Sequence, residues 1–137
     1  MKNIMTFTTL ATLMLASTAH AAEYSLLIYE TKAELAARTD AAKSDAYWGG
    51  YNAFAGELVK AGIMRGGSAV DEKTVYVVAS GKISEQNREV NGTHLGGYFV
   101  IDVPNIEAAS SWAAKVPTQG FVEVRPHRAN PTMQMKK

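Results

Sequence analysis

Few residues in this chain can do acid–base or binding chemistry, and most lie in its second half. His94 sits in the segment NGTHLGG (91–97). An imidazole there can act as a general acid or base near neutral pH, although the flanking glycines favour an exposed turn. His127 follows the segment FVEVRP (121–126) and can meet Asp102 or Glu123 at a sheet edge. Asp102 and Glu123 are the candidate proton acceptors. Arg125 is a candidate anchor for an anionic group, and Tyr29, Tyr76 and Tyr98 are candidate aromatic walls of a ligand site. Two histidines and a carboxylate can hold a divalent metal, but these are at neither helical nor hairpin spacing, so no metal and no cofactor is predicted. Met133 and Met135 are read as part of a tail rather than as copper ligands. The pairs Gly66-Gly67 and Gly96-Gly97 open no helix and lack the lysine of a phosphate loop; they are read as permitting strand bends and close packing of a dimer.

The elements that must position these residues belong to one globular domain. The chain has 137 residues, 47% hydrophobic and 20% charged, which exceeds what a disordered chain carries in apolar content. With 14 basic against 13 acidic residues it has no charge excess to suggest phosphate binding, so no nucleic-acid partner is expected. The absence of cysteine excludes disulfides, thiolate metal sites and a cysteine nucleophile.

Lys2, an apolar run over 4–16 and the small residues Ala19 and Ala21 predict a cleavable secretory signal over residues 1–21. The run is shorter than the roughly 20 residues that cross a bilayer, and no later segment qualifies, so no membrane span is expected. Removal of Lys2 with the signal leaves 13 basic against 13 acidic residues, and loss of His20 leaves His94 and His127. A cysteine-free exported domain suits a bacterial periplasm; periplasmic or secreted localisation is the expectation.

Residues 22–127 are expected to form the domain and 128–137 a flexible tail. YSLLIY (24–29) predicts a strand, with Thr31 capping a helical stretch from Lys32 to Ala61 that breaks near Thr39 and Asp40. Tyr47, Tyr51, Phe54 and Leu58 form its apolar stripe, and Gly62 ends it. Further strands are predicted at 63–70, 74–79, 97–103 and 121–125. The segment 81–92 reads as an exposed loop or irregular hairpin, and Asn105 caps a helix over 106–116. The order β-α-β-β-β-α-β predicts an α+β ferredoxin-like sandwich, an antiparallel sheet with two helices on one face.

Strand alternation sorts the side chains. Phe99, Ile101, Val103, Val122, Val124, Val75, Val77 and Ala79 are expected beneath the helices. The opposite face mixes aromatic and charged groups that water-facing sheets seldom carry together. It predicts a homodimer of barrel-like α/β type, with an inter-sheet pocket for a small molecule lined by Tyr29, Tyr76, Tyr98, Asp102, Glu123 and Arg125. The alternative is that Asp102 or Glu123 simply pairs with Arg125.

The segments YWGGYNAFAGELVKAGIMRGGSAV (47–70), LGGYFVIDVPNIEAASSWAAKVP (95–117) and FVEVRP (121–126) resemble the YCII-related, or DGPF-type, domain family. The resemblance implies a dimeric ferredoxin-like α+β fold and little about a reaction. The Asp-Gly-Pro-Phe signature is absent, its place being taken by GKISEQNREVNGTHLGG (81–97). A histidine that some members carry on the first helix corresponds to Tyr51, so no catalytic role carries over. Two functions remain: a binding module for a small, possibly anionic, organic ligand, or a lyase, isomerase or hydrolase that uses Asp102 or Glu123 with His94 or His127.

Overall fold

The structure is a computed structural model, and it describes residues 22–129. The expected signal (1–21) and the end of the tail, with Met133 and Met135, lie outside the described residues. The elements run β1 (Ala22–Thr31), α1 (Lys32–Ala37), α2 (Ser44–Lys60), β2 (Met64–Ala69), β3 (Tyr76–Ala79), β4 (Lys82–Glu85), β5 (Thr93–Val103), α3 (Ile106–Ala113) and β6 (Phe121–Pro126). β2, β5, β1 and β6 form a four-stranded sheet in that order, and its pairings are all antiparallel. This is an α+β architecture compatible with a ferredoxin-like sandwich.

Local chemistry places the helix boundaries. Thr31 caps α1 in a capping box: its hydroxyl accepts from the Glu34 N–H at 3.2 Å, and its own N–H donates to the Glu34 carboxylate at 2.8 Å. Asp40 then accepts the Ala42 N–H at 2.9 Å in the break before α2. Gly62 follows α2 at φ +72°, where a side chain would be strained. Asn105 caps α3 by accepting the Ala108 N–H at 2.9 Å.

The core lies on one sheet face. Tyr24, Leu26 and Ile28 of β1 and Ile101 and Val103 of β5 are buried against Phe54 and Leu58 of α2, Ala109 of α3, and Val116. Val122, Val124 and Phe99 pack at its margin, as the alternation predicts. Each large side chain buried here contributes about 1.5–3 kcal/mol.

The expectation for 74–79 is corrected. β3 joins no core sheet; it pairs with β4 in a separate two-stranded hairpin, in which Tyr76, Val78 and Ala79 are exposed. The segment has the β-branched and aromatic content of a strand, but propensity does not specify which sheet it joins. The segment read as a loop or irregular hairpin supplies β4. The paired glycines also have a nearer role than dimer packing: a Cβ on Gly67 would overlap the Phe99 ring, and one on Gly97 would lie 2.9 Å from the Ser68 carbonyl oxygen, so both permit close approach of β2 to β5.

Candidate functional site

The alternation that buries Tyr24, Leu26 and Ile28 carries one residue further and buries Glu30, which is 1% exposed at the end of β1. A carboxylate there needs partners to offset its lost hydration. Arg38, just beyond α1, donates from Nη2 to Glu30 Oε1 at 2.7 Å, and the Tyr47 hydroxyl of α2 donates to Glu30 Oε2 at 2.7 Å. Arg38 is committed on every nitrogen: Nε to the Tyr47 oxygen at 2.9 Å, Nη1 to the Val70 carbonyl at 2.8 Å and to Glu72 at 3.4 Å, and Nη2 also to the Gly96 carbonyl at 2.6 Å. Its planar fork thus ties β1, α2, β5 and the segment after β2 together.

Gly96 makes this possible. The β1–β5 register shifts between Ile28 and Tyr29 and leaves Gly96 without a Cα partner on β1. A Cβ at Gly96 would occupy the space of the Glu30 carboxylate and the Arg38 guanidinium. The environment also holds the tyrosines protonated. Burial first, then the hydrogen bond to Glu30, pushes the Tyr47 phenol well above its ordinary range, and burial beside Glu30 does the same for Tyr51. The Tyr51 hydroxyl is buried with no hydrogen-bond partner among the described residues.

Two hollows flank this network. A cleft of about 850 Å³ is lined by Lys32, Arg38, Trp48, Val70, Asp71, Glu72, Lys73, Asn87 and His94, among others. A smaller one of about 180 Å³, between α2 and the β2–β5 edge, includes Glu30, Tyr47, Tyr51, Gly67 and Phe99. Arg38, Trp48 and Ala69 border both. The hairpin insertion supplies part of the larger wall, Asp71 to Lys73 preceding β3 and Asn87 following β4.

His94 belongs to this cleft, and its expected exposure is corrected. It lies in β5, is 8% exposed and is the register partner of Glu30, with its ring Nε2 2.9 Å from Asn87 Oδ1. The strand begins at Thr93, so the glycines that suggested a turn lie at its start and at a bulge within it. His127 is corrected too. It meets Glu23, with Nδ1 3.2 Å from Oε2, and Ser25, with Nε2 2.7 Å from Oγ, rather than Asp102 or Glu123. Glu23 and Glu30 are seven positions apart on β1, roughly 23 Å at the rise of a strand, so the two histidines lie at separate places.

The remaining candidates lie elsewhere. Tyr29 stacks on Phe121 on the open sheet face, with ring centroids 4.6 Å apart, and Tyr98 is opposite Leu27 of β1. Tyr76 is not on that face but opposite Glu85 in the hairpin. Arg125 donates to Glu123 at 2.9 Å and is 65% exposed, whereas Asp102 accepts from Arg65 at 3.0 Å. Among the described residues no cluster of three or more His, Cys, Asp or Glu could hold a metal, and no helix is long and apolar enough to cross a membrane.

Sequence reasoning missed Glu30, Arg38, Tyr47, Trp48 and Asn87 as a set. The phase of β1 was the available signal, since Glu30 falls on the face of Ile28. No protein-family model matches the chain, and no curated protein matches it.

Proposed function

We propose that the chain is a small-molecule-binding protein of the YCII-related type, exported by its N-terminal segment and paired with a second copy across the open sheet face. Its ligand occupies the cleft bordered by Arg38, Trp48 and His94. The observation that carries this reading is a concave space of about 850 Å³ built against a fully hydrogen-bonded Glu30–Arg38–Tyr47 network. Ligand sites are typically hollows of this kind, held in shape before the ligand arrives. Trp48, 38% exposed, lines the cleft with its indole, and Lys73 on the same lining can meet an acidic substituent of a planar molecule.

The sheet face is better suited to a copy of the chain. It joins Leu27, Tyr29, Tyr98, Val100 and Phe121 to three acids, Glu23, Asp102 and Glu123, and to the bases Arg65 and Arg125. A two-fold partner can set acids against bases there while covering the apolar strip. The strand order and the segments 47–70, 95–117 and 121–126 support the family reading. The acid–base alternative drawn from Asp102 or Glu123 has less support: each is paired with an arginine, and His94 lies on the opposite sheet face.

Thermal-shift and calorimetric titration of the purified protein with planar organic acids tests the ligand reading. Saturable binding that Trp48→Ala weakens about tenfold or more supports the cleft; binding lost only in Arg125→Ala would move the site to the sheet face. Sedimentation as a monomer at micromolar concentration would remove the dimer, and recovery of residues 1–21 intact in a cytosolic fraction would remove export.

A further inference from the structure

Glu23 and Ser25 are two positions apart on β1, so their side chains share the open sheet face. The chain leaves β6 at Pro126 still in register with β1, and the His127 N–H donates to the Glu23 carbonyl at 2.9 Å. This sets the imidazole between the two side chains: Nδ1 is 3.2 Å from Glu23 Oε2, and Nε2 is 2.7 Å from Ser25 Oγ. A carboxylate only accepts, so the uncharged ring carries its hydrogen on Nδ1 and offers the Nε2 lone pair to the serine hydroxyl. A hydroxyl, a base in reach of its proton and a carboxylate that orients the base make the arrangement used for nucleophilic acyl transfer. All three groups can be reached from solvent. The His127 and Glu23 side chains are 37% and 49% exposed, and Ser25 is half-buried.

We infer that Ser25 is a nucleophile toward small uncharged carboxylic esters, with His127 as its general base and Glu23 as the residue that positions the base. The inference goes beyond the ligand reading and draws on neither the cleft nor a second copy. As Ser25 Oγ bonds to the ester carbonyl carbon, its proton passes to His127 Nε2. Nε2 then gives that proton to the departing alcohol oxygen as the ester C–O bond breaks. Water, deprotonated by the same nitrogen, attacks the acyl-serine, releasing the carboxylic acid and restoring the hydroxyl. Arg125 is the register partner of Ser25; its hydrogen bond to Glu123 engages Nε, and Nη1 and Nη2 remain to donate to the developing oxyanion. Asp102, paired with Arg65, is opposite Glu23 on β5. With Glu123 these acids disfavour an anionic substrate. Water access weakens charge stabilisation, which suits an ester with a good leaving group rather than an amide.

The test follows p-nitrophenyl acetate hydrolysis by the purified protein near neutral pH, together with labelling by diisopropyl fluorophosphate, whose phosphoryl group stays on an attacking serine as fluoride leaves. Peptide mass spectrometry is expected to place the label on Ser25. Ser25→Ala should remove both the label and the hydrolysis above background, and His127→Gln should slow both about 100-fold or more. Glu23→Ala should slow both about tenfold or more, with Glu23→Asp recovering part of the loss. The urea midpoint of each variant, expected to match the wild type because these side chains are at the surface, separates lost chemistry from lost folding. Hydrolysis unchanged in Ser25→Ala, or a wild-type protein that takes no label at Ser25, would overturn the inference. Labelling of Ser25 at the same rate with and without His127 would overturn it as well. None of these results bears on the cleft.

Discussion

The two faces of the central sheet carry the same kinds of charged pair with opposite consequences. On the helix-covered face, Glu30 and Arg38 have side chains only 2% and 9% exposed and are saturated by Tyr47, Gly96 and Val70. On the open face, Glu123 and Arg125 meet at 2.9 Å, with the arginine side chain 65% exposed. The surface pair is screened by water and needs no further partners. The buried pair has given up its hydration, so each polar atom must be matched, and its geometry is fixed as a result. A fixed polar wall is what a binding cleft needs; an adjustable polar surface suits a rim or an interface.

The largest expected effect comes from removing one buried partner. Glu30→Ala leaves the buried Arg38 with only the more distant Glu72 carboxylate and should cost about 3–5 kcal/mol, read as a shift of the urea midpoint. Gly96→Ala drives a methyl group into the same pair and should cost about 1–3 kcal/mol through forced displacement. At the small end, Arg125→Ala should leave the urea midpoint essentially where it is. An Arg125→Ala loss comparable to that of Glu30→Ala would erase the contrast between the faces.

The tyrosines give the contrast a pH signature. Tyr47 has its phenol pKa raised by burial and by Glu30, so the folded protein keeps this proton at a pH where the unfolded chain releases it. The unfolded state then binds fewer protons, and stability falls as pH rises beyond the ordinary tyrosine value of about 10. This contribution is fully present below that value. Tyr47→Phe should flatten the alkaline decline in denaturation midpoint.

Much of the scaffold was legible because it follows short-range rules. Thr31, Gly62 and Asn105 mark helix ends by their own chemistry, and the alternation of Ile101, Val103, Val122 and Val124 marks the core face. The site was less legible because its chemistry is assembled at long range. Arg38 reads as a residue in a helix break, and Glu30 as the end of a strand. Only folding brings Gly96, 58 positions from Arg38, to accept its hydrogen bond. His94 was misleading for a related reason: a bulge glycine and a turn glycine look alike until the partner strand is known. The same limit explains Thr74 to Ala79, whose strand character is real but whose partner is the adjacent β4.

The most direct measurement is a map of amide and indole NMR shifts in the full-length protein as a planar organic acid, 2-naphthoic acid, is added. The account predicts the largest changes at the Trp48 indole and at Val70, Lys73 and His94 around the cleft. Changes confined to Tyr29, Tyr98, Phe121 and Arg125 would place the ligand on the open sheet face and contradict it.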